Sequence, residues 1–195
     1  MKASLDGKLN QNIEEYVRNA QRGDQESFGK LYEHFYDKIF RYVSFKSGKG
    51  MDAEDITGEV FFKMLNSIDS FKWKGYPFSS WLYRIARNLV VDHYRRSSKR
   101  NSQPLSSIPY DNLPTNDRSL EDSVDLNLSV ERIRDAMKNL TDLQYEVIAL
   151  RFAAGLTIYE TAFTLQKKEN AVKALQHAGL KKLRRSLTTE PQLSR

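Results

Sequence analysis

The sequence predicts an all-α protein built from two small helical domains that a flexible linker joins. Apolar residues recur at the three- and four-residue spacing of amphipathic helices through residues 24–96 and again through residues 129–187. In the second stretch, two residue pairs match the capping box that begins a helix. Residues 97–127 keep no apolar period and hold three of the five prolines in the chain, which is typical of a linker.

Length and charge narrow the class of protein. At 195 residues the chain is long enough to bury a core in each of two small domains. Its net charge of +6 favours an anionic partner. The excess lies in the domains: residues 1–96 carry 16 Lys and Arg against 13 Asp and Glu, residues 128–195 carry 12 against 7, and the linker has 3 against 5.

Features missing from the sequence exclude several other classes. The chain has no cysteine, which excludes disulfides and thiolate metal sites. Its first residues contain no apolar segment typical of a signal peptide, and no apolar run reaches the length of a membrane span. We therefore expect a cytoplasmic protein.

Two amphipathic helices open the first domain. Residues 24–45 place an aromatic-rich apolar face at helical spacing, and Asp24 is the expected N-cap. After a break at 47–50, a second helix is expected to begin at Asp52, because acidic residues crowd its first turn, where the helix dipole favours them. The apolar seam of this helix consists of Ile56, Val60, Met64 and Ile68.

The third helix, Phe78 to Arg96, presents two surfaces, and Ser79 or Ser80 is its expected cap. One stripe is apolar and packs. The other is basic with aromatic rings at its head, a combination that stacks bases while it neutralises a nucleic-acid backbone. A solvated cationic face on an ordinary core helix is the alternative. The apolar stripe consists of Leu82, Ile85, Ala86, Leu89 and His93, and the basic-aromatic stripe of Trp81, Tyr83, Arg84, Arg87, Asn88 and Arg95.

The second domain has the spacing of a helix-turn-helix. A helix near 129–140 precedes the capping boxes, and a short helix, a turn at 166–168 and a long basic helix over 169–187 complete the unit. The boxes are Thr141 with Gln144 and Thr157 with Glu160, and Gly155 is expected to end the helix between them.

Within that unit, small apolar side chains pack the two helices together, and a polar set projects from the second helix. The projecting residues are donors, acceptors or small groups, which suits a DNA major groove. A plain helical hairpin of a repeat or adaptor protein is the alternative. The packing residues are Ala162, Leu165, Val172 and Leu175; the projecting residues are Lys168, Asn170, Ala171, Lys173, Ala174, Gln176 and His177.

Taken together, these segments resemble the bacterial extracytoplasmic-function (ECF) sigma factors of RNA polymerase over about nine tenths of the chain. The likeness rests on DAEDITGEVFFKM at 52–64, on F..WLYRIARNLVVDHYRR at 78–96 and on LTDLQYEVIALRF in the second domain. The resemblance implies a sigma region 2 helical bundle over residues 1–96, a flexible linker over 97–127 and a sigma region 4 helix-turn-helix over 128–195.

The resemblance also implies which residues meet which partner. Region 2 docks on the clamp helices of the largest polymerase subunit and holds the non-template strand of the opened −10 element, and region 4 reads the −35 element in the major groove. The implied core-binding residues are Asp52, Asp55, Glu59 and Phe62; the −10 residues are Trp81, Tyr83, Arg84, Arg87, Asn88 and Arg95, with Arg96 and the loop 69–77; the −35 residues are Lys168, Asn170, Ala171, Lys173, Ala174 and His177.

The chain departs from the family pattern at a few positions. Gly58 stands where a glutamine is usual, Gln166 replaces the usual turn glycine, and Lys168 replaces a usual Ser or Thr cap. Ala178 and Gly179 interrupt a helix that commonly bears arginines. The base preference of the family therefore does not transfer to this chain.

The function implied by the resemblance is promoter-specific transcription initiation. A sigma factor binds polymerase core and needs no cofactor, metal ion or small-molecule substrate. It is commonly inhibited by an anti-sigma factor that is often membrane-anchored. A conventional helix-turn-helix regulator and a helical adaptor are the alternatives. An enzyme is disfavoured, because His34, His93 and His177 are far apart along the chain and no cysteine completes a zinc set.

Overall fold

The computed structural model describes residues 12–47, 53–101, 132, 133 and 135–188, and all regular structure within these ranges is helical. This confirms the all-α prediction. The first domain comprises α1 (12–20), α2 (Gln25–Ser47), α3 (Ala53–Ser67), a 3-10 turn (Ile68–Ser70) and α4 (Phe78–Asn101). The second comprises α5 (132–138, without residue 134), α6 (Asp142–Ile148), a π-helical turn (Ala149–Ala153), α7 (Ile158–Leu165) and α8 (Glu169–Thr188).

Helices α2 and α3 form as their apolar patterns predict. The carboxylate of Asp24 accepts a hydrogen bond from the backbone N–H of Ser27 at 3.0 Å, so the expected cap of α2 is confirmed. The predicted seam of α3 is buried along its whole length. Asp52, which was expected to begin α3, lies outside the described residues. The buried residues of the α2 face are Leu31, Phe35, Ile39, Tyr42 and Val43.

Helix α4 differs from its predicted limits at both ends. It begins at Phe78, so Ser79 and Ser80 lie inside its first turn and the prediction that one of them caps it was wrong. The backbone provides the first bond instead, from the Ser80 N–H to the Pro77 carbonyl at 3.1 Å, and the early start buries Phe78 in the core. At the other end the helix continues to Asn101, beyond Arg96 and into the predicted linker. Residues 102–127 of that linker lie outside the described residues.

Both predicted capping boxes are present in the second domain. Thr141 Oγ1 accepts from the Gln144 N–H at 3.4 Å, and Gln144 Oε1 accepts from the Thr141 N–H at 3.1 Å. Thr157 and Glu160 make the same reciprocal pair at 3.2 and 2.7 Å. Gly155 has φ of +75° and follows the π-helical turn, as expected of a residue that ends a helix. The π-helical turn itself was not predicted.

The two domains share one apolar core across the described residues. Val147, Leu150 and Leu156 of the second domain belong to the same buried cluster as the inner faces of α2, α3 and α4. The sequence pattern identifies both sets of residues as buried but does not show that they meet. The arrangement of the second domain on the first, which we call the closed arrangement, therefore had to come from the structure.

Gly179 of α8 packs against Ile148 and Gln144 of α6, and this contact allows a test of how the two helices pack. A Cβ at Gly179 would lie 3.3 Å from Cγ1 of Ile148, so a leucine side chain at this position requires Ile148 and its neighbours on α6 to shift. Gly179→Leu is expected to lower the free energy of unfolding by about 1–3 kcal/mol through overpacking. Gly58→Leu is the matched control, since a Cβ at Gly58 meets nothing within 4 Å. Equal thermal stability of the two variants would contradict this packing.

Candidate partner and nucleic-acid interfaces

The outer face of α3 combines exposed apolar and acidic side chains. Phe62 is 65% exposed and Leu65 is 52% exposed, although both are large hydrophobic residues. Asp55 is exposed on the same helix, and Glu59 pairs with Lys63 at 3.8 Å. Exposed apolar side chains that are flanked by charges are typical of a protein-binding surface. The structure thus places the predicted partner residues Asp55, Glu59 and Phe62 on the surface of α3.

An aromatic cluster supports the start of α4 and the loop before it. The ring centroid of Trp81 lies 5.3 Å from that of Phe71 and 5.3 Å from that of Phe78, so the indole is half-buried. Phe71 also contacts Trp73 edge to face, with ring centroids 4.9 Å apart. Loop 71–77 is therefore anchored by its own aromatic residues, and Trp81 is fixed in orientation.

Tyr83 is buried in this arrangement, although the spacing of the basic-aromatic stripe suggests an accessible ring. Its side chain is 2% exposed, and its ring meets that of Tyr42 edge to face at 5.5 Å. Its hydroxyl donates to the carbonyls of Lys38 at 3.3 Å and Ala154 at 3.4 Å, and burial raises its pKa far above the usual value. The predicted contact of Tyr83 with a base remains a prediction, and it requires that the residues covering the ring move away.

The polar residues of α4 divide between the domain boundary and the solvent. With its amide oxygen turned toward the guanidinium, Gln166 accepts hydrogen bonds from both terminal nitrogens of Arg84, at 3.1 Å from Nη1. Arg87 points inward, with Nε 3.9 Å from Oε1 of Glu146. Asn88 is exposed on the outer face of the helix. Arg95 and Arg96, near the end of the helix, are also exposed.

Helix α8 and Lys168 before it present the predicted polar set to solvent except for Gln176, which is half-buried and accepts a hydrogen bond from Arg151. Lys168, Asn170, Ala171, Lys173, Ala174 and His177 are all exposed. Beneath them, Ala162, Leu165 and Val172 are buried between α7 and α8, as predicted for a helix-turn-helix. Gln166, at the position of the usual turn glycine, adopts φ of 54°, a left-handed conformation that is uncommon outside glycine.

Two family models match the chain: Sigma-70 region 2 at residues 31–100, and Sigma-70, region 4 at residues 136–185. The chain is also 30% identical to the ECF RNA polymerase sigma factor SigX of Bacillus subtilis, over 84% of this chain and 84% of SigX. This chain belongs to the ECF RNA polymerase sigma factors. The ECF sigma factor thus acts in promoter-specific transcription initiation and is not an enzyme.

Other comparisons agree with this family. The ECF RNA polymerase sigma factor BldN of Streptomyces coelicolor is 39% identical over 175 residues, which cover 89% of this chain and 65% of BldN. Among solved structures, that of CnrH in complex with the cytosolic domain of CnrY matches with a TM-score of 0.69 at 20% identity, over 92% of this chain and 99% of the CnrH chain. This last likeness shows the fold.

Arg151 is a functional candidate in this sigma factor that sequence reasoning missed. Its Nε donates to Oε1 of Gln176 on α8 at 2.9 Å, and its Nη1 donates to the carbonyl of Leu156. Arg151 therefore ties α8 to the π-helical turn that follows α6 and to the backbone at Leu156. A single arginine within the apolar run VIALRFA is the signal that could have indicated this role.

Metal and membrane features are missing from the part of the chain that the structure describes. There, no three His, Asp or Glu side chains are grouped as metal ligands, and no helix has the length and apolarity needed to cross a bilayer. His34 has a structural partner, because Lys38 Nζ donates to its Nε2 at 2.8 Å. Burial and the neighbouring Lys38 charge lower the pKa of His34, which keeps its ring neutral.

Proposed function

We propose that this ECF sigma factor uses three separate surfaces in initiation: the outer face of α3 for polymerase core, α4 with loop 69–77 for the −10 strand, and α8 for the −35 duplex. The proposed domain limits are residues 1–96 for region 2, 97–127 for the linker and 128–195 for region 4. The observation that carries the proposal is the recognition helix, whose polar set is exposed while its apolar side is buried.

The core-binding surface is proposed to centre on Phe62, with Asp55 and Glu59 on the same helix. Asp52, which lies outside the described residues, is proposed to belong to this surface as well. An exposed aromatic ring that becomes buried on binding contributes far more binding free energy than the residues at the rim of the interface. The acidic residues set the orientation and speed of docking through long-range attraction to a basic partner. Glu59 is half-exposed and pairs only with Lys63 of its own helix among the interactions described, so it can exchange this weak surface pair for a partner contact.

The −10 surface is proposed to hold bases that have already left the stack. Trp81 and Tyr83 provide rings for stacking, Asn88 provides both donors and acceptors, and Arg84, Arg87 and Arg95 neutralise phosphates. Loop 69–77 supplies the pocket for one flipped base, next to the aromatic cluster of Phe71 and Trp73.

Lys173→Ala tests the −35 role of α8 directly. Lys173 is exposed near the middle of the projecting set, so its removal is expected to weaken duplex binding without changing the fold. The loss should be about 1–3 kcal/mol at one base pair if the lysine reaches a guanine edge. If it reaches a phosphate instead, binding should fall equally for all sequences and the salt slope should decrease by about 1.

The control for this test is Lys138→Ala on α5, which removes an exposed lysine paired with Asp135 at 2.6 Å. Binding is measured by fluorescence anisotropy at several salt concentrations, with polymerase core present. If Lys173→Ala and Lys138→Ala behave alike, α8 is not the recognition helix.

An anti-sigma factor is the proposed inhibitor of this protein, and the cytoplasm its proposed location. CnrH, which shares the fold, is solved in complex with the cytosolic domain of CnrY. An inhibitor anchored in the membrane can bind this sigma factor only on the cytoplasmic side, where polymerase and promoter DNA also reside.

A further inference from the structure

One carboxylate of the second domain is buried among groups of the first. Glu146, on α6, is only 5% exposed. Tyr42 donates its hydroxyl to Oε1 of Glu146 at 2.5 Å, and Lys46 donates Nζ to Oε2 at 2.8 Å. Arg87 Nε lies 3.9 Å from Oε1, is buried, and has no hydrogen-bond partner among the described residues. Glu146 is therefore the shared partner of groups from α2 and α4.

The buried charges in this cluster compensate each other, so the stability of the cluster depends on its charged members. Burial raises the pKa of the Glu146 carboxyl, but the charge of Lys46 and the hydrogen bonds from Lys46 and Tyr42 outweigh burial and lower it, so the group is ionised. Burial and the Glu146 charge raise the pKa of Tyr42, which stays a neutral donor. A buried ion pair adds little net stability, yet the loss of one partner leaves an uncompensated buried charge. Removal of Glu146 alone should therefore weaken the boundary and raise the open fraction, although the shared apolar core remains.

The closed arrangement covers part of the proposed −10 surface, while Asn88, Arg95 and Arg96 stay exposed. Tyr76 of loop 69–77 stacks on Phe163 of α7 with ring centroids 3.9 Å apart, and Tyr159 donates its hydroxyl to the Gly75 carbonyl at 3.0 Å. Tyr83 is buried, and Arg84 is engaged by Gln166. Tyr76 and Arg84 therefore cannot bind a −10 strand until the second domain moves, and Tyr83 must also leave Tyr42 and the Lys38 carbonyl of its own domain.

The same arrangement leaves the other two proposed surfaces accessible. Phe62 and Asp55 are exposed on α3, and Asn170, Lys173 and His177 are exposed on α8. A closed chain can therefore present its core-binding face and its recognition helix at a time when it cannot hold the −10 strand.

We infer that Glu146, Tyr42, Lys46 and Arg87 form a latch that holds the free sigma factor closed and masks the covered part of the −10 surface, namely loop 69–77, Tyr83 and Arg84, while α3 and α8 stay accessible. The inference rests on the −10 role proposed for α4. The latch belongs to the chain itself and needs no second protein. Its release then becomes a step that precedes capture of the −10 strand.

The distance between the domains tests the latch in the full-length protein. The chain has no cysteine, so Glu33→Cys and Lys181→Cys, both at exposed positions, accept nitroxide labels specifically. Pulsed electron paramagnetic resonance should give one narrow distance distribution for the otherwise unchanged protein. Glu146→Gln should shift it to longer and broader distances. An unchanged narrow distribution in Glu146→Gln, or a broad one without it, would overturn the latch.

A rescue variant separates release of the latch from general damage. Glu146→Gln combined with Lys46→Met leaves neither member of the closest pair charged, so the narrow distribution should return. Arg87, whose side chain is 29% exposed, can turn toward water in this variant. Glu26→Gln, which breaks only a surface pair with Lys30 at 2.6 Å, should leave the distances unchanged. If the distance distribution of the rescue variant stays broad, the latch is overturned as well.

Binding of a fluorescent oligothymidine strand tests the masking. The apparent affinity for the strand scales with the fraction of protein in the open state. Glu146→Gln should therefore bind the strand at least about tenfold more tightly than the protein with Glu146 intact. The rescue variant should return to the original affinity. If Glu146→Gln lengthens the distances but binds the strand no better, the latch stands, and the masking and the proposed −10 role are both overturned.

Discussion

Asp55→Arg together with Glu59→Arg should abolish co-purification of this sigma factor with RNA polymerase core. Both residues lie on the outer face of α3, where their charges meet solvent in the free protein. Replacing two acids with arginines places like charges against a basic partner surface, which costs several kcal/mol. A loss of that size corresponds to a fall in affinity of roughly a hundredfold or more. Helicity should not change, because exposed substitutions alter stability by about 0.5 kcal/mol or less.

The matched control for this pair is Glu33→Arg with Asp37→Arg on α2. It makes the same change in charge at the same spacing, on exposed residues of a neighbouring helix. Co-purification should survive in the control, as judged by size-exclusion chromatography with purified core. Retention of core by the α3 variant at normal helicity would remove α3 from the interface.

Trp81→Ala together with Asn88→Ala should block promoter opening while core association and −35 binding remain. Unstacking costs a few kcal/mol per base step, and stacking of a base on an aromatic side chain returns roughly 1–3 kcal/mol. Without the Trp81 indole and the Asn88 amide, the unpaired −10 strand loses a stacking partner and a hydrogen-bonding partner. Permanganate footprinting of unpaired thymines measures the effect, and a template with a pre-melted −10 bubble should restore transcription.

Two controls guard this result against loss of fold. Trp81 packs against Phe71 and Phe78, so its truncation removes apolar contacts and lowers the free energy of unfolding by up to about 3 kcal/mol. Thermal unfolding has to show that the variant is folded at the assay temperature. Trp81→Phe with Asn88 intact keeps a stacking ring and should still open the duplex. Opening at the normal rate by the double alanine variant would contradict a melting role for α4.

Local signals in the sequence predict most helix boundaries of this protein. Capping boxes and the glycine at 155 act within a few residues of their own position, and the structure places both where the sequence indicates. The same holds for Asp24, whose carboxylate binds a backbone N–H only three residues away. The caps proposed at Ser79 and Ser80 were wrong, because burial of Phe78 moves the start of α4 toward Pro77.

Contacts between distant parts of the chain are what the sequence does not reveal. Helical spacing places Tyr83 beside Arg84 and Trp81 but does not show that Tyr42 of α2 and the backbone at Ala154 of the second domain bury it. Glu146 finds Tyr42 and Lys46 at separations of 104 and 100 residues. A lone acid within the apolar run LQYEVIAL was a signal of a buried pair, yet nothing local identifies its partners.

Run-off transcription shows whether this protein directs promoter-specific initiation. Polymerase core, this protein and genomic DNA fragments are combined, and the lengths of the transcripts are measured. We expect discrete transcripts that core alone does not produce and that disappear with the Asp55→Arg and Glu59→Arg variant. If core with this protein makes no more transcripts than core alone, or if the α3 variant makes them equally well, promoter-specific initiation through the proposed surfaces is contradicted.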